Sequence, residues 1–135
     1  MRSDLADLYR WVHRPDAGTL PPVLVALRDA TLRIEISSAL VCRGVRIVLA
    51  RNAAQAQTLL RATEIVIADT RLLSELDLRA RHALRGVALI AIADGSTAAL
   101  AIAADLGARR VVQAPAETED VVALALNAYS LGTRH

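Results

Sequence analysis

The sequence predicts a single α/β domain built on a five-stranded, doubly wound parallel sheet. From Val23 onward, short runs of Val, Ile, Leu and Ala alternate with longer segments of helical spacing. The short runs are almost continuously apolar, as strands covered by helices on both faces must be. A chain of 135 residues is long enough for one buried core and too short for two ordinary domains.

Residues 1–20 read as an added amphipathic helix and linker, and 21–135 as the α/β domain. Leu5, Leu8, Tyr9 and Val12 follow the i, i+3, i+4, i+7 spacing of a helix opened by Ser3 or Asp4, with Trp11 beside them. Pro15, Gly18, Pro21 and Pro22 then break it. The first strand is expected at Val23 to Ala26 and a helix at Ala30 to Arg43, closed by Gly44. A second strand is expected at Val45 to Leu49, a helix at Ala53 to Ala62, and a third strand at Ile65 to Ala68 running into Asp69. One helix is expected over Leu72 to Leu84, then a fourth strand at Val87 to Ala93 and an Ala-rich helix at Thr97 to Leu106 ended by Gly107. Arg110 to Gln113 gives the fifth strand, stopped by Pro115. The last helix runs from Glu117 to Leu131, with Thr118 as its N-cap and Glu119 and Asp120 in the first turn, where the helix dipole favours acids.

Composition removes several function classes. Every basic residue is arginine, so Schiff-base chemistry on lysine is impossible and one class of enzymes is removed. The net charge is only +2, the arginines are scattered, and aromatics make up 2%, which argues against nucleic-acid binding. No apolar run is long enough to span a membrane, and the start lacks a secretory pattern, so a cytoplasmic location is expected. Cys42 stands alone and is expected to be a small buried hydrophobe. His13, His82 and His135 are too far apart in sequence for a zinc site and are expected to be solvated; no metal and no cofactor is expected. Asp94-Gly-Ser-Thr97 is a turn into a helix cap, far from a phosphate-cradling loop.

Several segments carry a family resemblance. Pro22-Val-Leu-Val-Ala-Leu-Arg-Asp-Ala-Thr-Leu-Arg33, the run Leu40-Val-Cys-Arg-Gly-Val-Arg-Ile-Val-Leu-Ala50, the strand Ile65-Val-Ile-Ala-Asp69, Ala104-Asp-Leu-Gly-Ala108 and Val111-Val-Gln-Ala-Pro115 occur in the order and spacing of one fold. Together they resemble the receiver domain of two-component response regulators, the flavodoxin-like fold of the chemotaxis receiver, over roughly Pro22 to Leu131. The resemblance implies that Asp69 stands at the phosphoacceptor position. The acidic pair that helps hold Mg²⁺ in that family falls on Leu27 and Arg28, with Asp29 next. The Thr or Ser of the fourth strand falls on Ile92, the Lys of the Lys-Pro corner on Ala114, and the switch aromatic on Val111. The segment that usually follows the phosphoacceptor is replaced by Leu72-Leu-Ser-Glu75.

Phosphoryl transfer to a carboxylate needs a divalent cation and further positive charge. Leu27 offers no oxygen ligand and Arg28 repels a cation. The favoured reading of Asp69 is therefore a carboxylate capped by backbone amides or paired with an arginine. A guanidinium of Arg28 occupying the place of the metal and pairing with Asp69 is one expectation; Arg71 as the partner, or Arg28 pointing into water, are the others.

The expected function is that of an atypical, or pseudo-, receiver: a phosphorylation-independent protein-binding module in signal transduction. One alternative is a working phosphoacceptor of a phosphorelay using Asp69; another is a flavodoxin-like sensor of a nucleotide or small molecule. The resemblance places the contact with a protein partner or a second copy on the family's fourth helix, fifth strand and fifth helix. Here that face includes Arg109, Arg110 and, on a last helix apolar nearly all round, Leu124, Tyr129 and Leu131, whereas Val122, Ala125 and Leu126 are read as ordinary core. The first helix, through Leu5, Leu8, Tyr9, Trp11 and Val12, is an equal candidate to cover that surface.

Overall fold

The computed structural model describes residues 22–133, with side chains described to Ala128. The expected first helix, with Leu5, Leu8, Tyr9, Trp11 and Val12, lies outside the described residues, as do the side chains of Tyr129 and Leu131, and His13 and His135.

In chain order the elements are β1 (Val23–Ala26), α1 (Ala30–Cys42), β2 (Ile47–Ala50), α2 (Ala53–Leu59), β3 (Ile65–Asp69), α3 (Thr70–Ser74) and α4 (Leu78–Ala83). There follow β4 (Ala88–Ala93), α5 (Thr97–Asp105), β5 (Arg110–Gln113) and α6 (Thr118–Thr133). Single 3₁₀ turns at Leu60–Ala62 and Leu84–Gly86 lead into β3 and β4. The five strands form one parallel sheet in the order β2-β1-β3-β4-β5. This is the doubly wound, flavodoxin-like α/β arrangement expected from the sequence.

The alternation of side chains along each strand divides the core into two layers. Leu24, Ala26, Val66, Ala68, Leu89 and Ala91 face α2, α3, α4 and α5. Val23, Val25, Ile65, Ile67, Ile90 and Ile92 face the other way, onto Ile36 and Leu40 of α1 and Val121, Val122 and Ala125 of α6. Leu126 is half-buried against the same layer, so the core assignment of the last helix holds.

The departures from the sequence expectations have local causes. Val45 does not open β2, which begins at Ile47. Its N–H donates to the Leu40 carbonyl at 3.1 Å and that of Gly44 to Val41 at 2.9 Å, a Schellman closure of α1 with Gly44 at φ 79°. Val45 then packs in the layer that holds Leu40.

The single helix expected over Leu72 to Leu84 is two. Leu76 turns into the core, and Asp77 restarts the helix by accepting from the Ala80 N–H at 2.8 Å. Arg81 donates to the carbonyls of Ser74 and Leu76, which the break leaves without helical partners.

Thr118 is the first residue of α6 and not its cap: its hydroxyl donates to Glu35 at 2.8 Å, tying α6 to α1, while the Glu117 carbonyl accepts the first helical bonds. Cys42, expected to be buried, is exposed, because the last turn of α1 directs it away from the Ile36–Leu40 stripe. No helix among the described residues is long and apolar enough to cross a membrane.

Candidate functional site

The carboxyl ends of β1, β3 and β4 meet at one edge of the sheet, where a doubly wound fold places its chemistry. Asp69 is the last residue of β3 and the N-cap of α3. Its Oδ1 accepts from the Leu72 N–H at 2.6 Å and its Oδ2 from the Arg28 N–H at 2.8 Å. Both oxygens are therefore engaged by backbone amides, one from its own helix and one from the turn after β1. Asp-Thr-Arg-Leu72 at a strand end is an N-cap pattern, which the sequence already carries.

The Arg28 guanidinium does not pair with Asp69. It donates to Glu75 at 2.5 Å, across the top of α3, with the two side chains 44% and 49% exposed. Asp69 already has an amide donor on each oxygen, whereas Glu75 at the end of α3 presents a solvated carboxylate within reach of the long arginine side chain. Glu75 was missed in the sequence, where nothing marks it as a partner of a residue 47 positions away. Arg71, the rival partner, contributes attraction to Asp94 instead.

The neighbouring positions hold one buried aliphatic side chain and one capping acid. Leu27 is 1% exposed and belongs to the layer beneath α1 and α6. Asp29, the nearest acid, is the N-cap of α1, accepting from the Leu32 N–H at 3.2 Å. Ile92 stands opposite Asp69 in the β3–β4 register and is 5% exposed. Ala114 is exposed; its N–H donates to the Ala93 carbonyl at 2.6 Å, and a cis peptide joins it to Pro115.

Asp94 and Ser96 complete the edge. The Asp94 carboxylate accepts from the Ser96 N–H, and the hydrogen bonds from Ser96, assisted by Arg71, hold its carboxyl below its ordinary value of 3.8. The Ser96 hydroxyl caps α5 through the Ala99 N–H. Among the described residues no three His, Cys, Asp or Glu side chains gather as a metal site.

Away from this edge, Arg109 is exposed just before β5, Arg110 and Val111 are exposed along it as the outer strand of the sheet, and Leu100 of α5 is 38% exposed. Leu124 is half-buried against the α1–α6 layer. His82 is exposed on α4.

No protein-family model matches the chain, and no curated protein matches it. Solved structures do. The chain is similar to the receiver domain of the Francisella response regulator 1452, with a TM-score of 0.69 and 17% identity over 83% of this chain and 98% of that one. It is similar to a response regulator receiver domain protein (CheY-like) from Methanospirillum hungatei, with a TM-score of 0.66 and 16% identity over 82% of this chain and 94% of that one. It also matches the co-crystal structure of the Saccharomyces cerevisiae histidine phosphotransfer signaling protein Ypd1 with the receiver domain of Ssk1, at a TM-score of 0.67, 14% identity, and 84% and 93% coverage. Likeness at these identities establishes the receiver fold.

Proposed function

We propose that this receiver-fold domain is a pseudo-receiver, a protein-binding module of signal transduction that works without phosphorylation. The observation that carries the reading is the pair of amide bonds to Asp69. A carboxylate that attacks phosphorus must turn an oxygen lone pair toward the donor while a cation neutralises the gathering charge, and each amide bond to that oxygen withdraws electron density and fixes its direction. Here each carboxylate oxygen already holds a donor, the acid at the nearest ligand position caps a helix, and a buried leucine stands where an acid would reach the metal. The amide of Arg28 fixes the β1–α1 turn onto the head of α3 and makes Asp69 a structural staple.

What such a domain retains is surface. The Ssk1 receiver domain was crystallised together with a phosphotransfer protein, which illustrates the kind of partner that the fold engages. In this chain the face of α5, β5 and α6, with Arg109, Arg110, Val111 and Leu100 exposed, suits a protein partner or a second copy.

The test is incubation of the full chain with acetyl phosphate or beryllofluoride and Mg²⁺, read by intact mass and by thermal shift. The wild type is expected to gain no phosphoryl group and no stabilisation. A mass gain that disappears in Asp69→Asn would establish a working phosphoacceptor instead.

A further inference from the structure

The break between α3 and α4 leaves α4 as a short ridge between two shallow grooves. Toward α2 the groove is lined by Arg61 and Arg79 with Gln57, Thr58 and one acid, Asp77, whose carboxylate is spent in capping α4 through the Ala80 N–H. Toward α5 it is lined by Leu78, His82 and Arg85, with Asp105 the one acid present. Residues 78–86 read Leu-Arg-Ala-Arg-His-Ala-Leu-Arg-Gly, with three arginines, one histidine and no acid.

Two of the three arginines on this ridge, Arg79 and Arg85, are not used within the domain. Several arginines are tied: Arg28 to Glu75, Arg43 to Glu119, Arg33 to the Leu27 carbonyl, and Arg81 of α4 itself to the broken end of α3; Arg109 and Arg110, on β5 and just before it, are exposed and, among the described residues, untied. Arg61, Arg79 and Arg85 make no ion pair or hydrogen bond with any described residue. Leu78, set among them, is 72% exposed, more than any other large hydrophobic among the described residues.

We infer that the α4 ridge is a docking surface for an acidic protein segment that carries an aliphatic residue. The apolar contact falls on Leu78, and carboxylates fall on Arg79 and Arg61 on one flank and on Arg85 on the other. Arginine presents a planar fork that matches carboxylates two bonds at a time, and it is enriched where interfaces concentrate their energy. Nucleic acid fits less well, because no aromatic side chain stands on the ridge to stack a base. The surface lies on the helix layer opposite α6 and does not depend on the state of Asp69.

The probe is a fluorescein-labelled helical peptide of repeated Glu and Leu, titrated into the full chain and followed by anisotropy. Arg79→Glu/Arg85→Glu is expected to weaken binding by about tenfold or more, since reversal replaces attraction with like-charge contact. Leu78→Ser, or serine in place of the peptide's leucines, is expected to weaken it several-fold, while Arg109→Glu/Arg110→Glu leaves it unchanged. Arg79→Gln/Arg85→Gln gives the intermediate loss, and urea midpoints equal to the wild type verify that each variant is folded. Absence of binding, equal loss in the two reversal variants, or tighter binding of a single-stranded oligonucleotide on the same ridge would overturn the assignment.

Discussion

Replacing Asp69 with alanine separates a staple from a reaction centre, because the two roles predict opposite signs. The substitution removes acceptors from the Leu72 N–H at 2.6 Å and the Arg28 N–H at 2.8 Å. Hydrogen bonds to a charged group contribute about 1.5–3 kcal/mol each, and the loss of an N-cap alone costs about 1 kcal/mol. Asp69 is half-buried, so water reaches part of the vacated space and the lower end applies. The expected loss is about 2–3 kcal/mol, or a fall in Tm of roughly 6–15 °C for a domain of this size. Asp69→Asn keeps one acceptor for Leu72 but turns an NH₂ group toward the Arg28 N–H, so about half of that loss is expected. The assay is urea unfolding at pH 7, where the midpoint should fall while the slope stays constant. An alanine variant as stable as the wild type, or more stable, would refute the reasoning; it would mark Asp69 as a group kept at the expense of stability, as reactive groups often are.

Three further outcomes follow from the same geometry. Arg28→Ala removes only a half-exposed ion pair and leaves its N–H on Asp69, so less than about 1 kcal/mol is expected, vanishing in 1 M salt when midpoints are compared. Leu27→Asp places a carboxylate where the side chain is 1% exposed; a loss of at least about 3 kcal/mol is expected by urea unfolding, with no gain in Mg²⁺ affinity by calorimetry. Asp94, held below 3.8 by Ser96, favours the folded state above that value and loses this contribution as the pH falls through its lowered folded-state value. The wild type should therefore lose more stability than Asp94→Asn between pH 5 and pH 3, measured by thermal melting.

The sheet was legible in the sequence because burial on both faces leaves a signal that no helix needs: apolar residues at every position of a short run. Val23 to Ala26, Ile65 to Ala68 and Ala88 to Ala93 all carry it, and all are strands. Where apolar residues serve a turn, the same signal misleads. Val45 looks like the start of a strand and is the apolar closure of α1. The split between α3 and α4 was hidden because Leu76 continues the hydrophobic pattern, and only Asp77, an N-cap three residues before Ala80, marks the restart. At the candidate site, the residue types Leu27, Arg28, Ile92 and Ala114 are plain in the sequence. The destination of the Arg28 side chain is not, since Glu75 comes near only once α3 has been folded back over the turn after β1. The exposure of Cys42 depends on the phase of the last helical turn, which a single residue type does not report.

The strand order has a consequence for synthesis. β1, the first strand among the described residues, is an interior one, bordered by β2 and β3, so during synthesis its hydrogen-bonding edges wait for residues up to Asp69. Part of one side of the sheet waits longer, because Val121, Val122 and Ala125, which cover it together with Ile36 and Leu40 of α1, belong to the last described element. A nascent or truncated chain ending before α6 therefore leaves part of a Val and Ile surface bare, a target for chaperones and a seed for aggregation, and the core is completed only when α6 arrives.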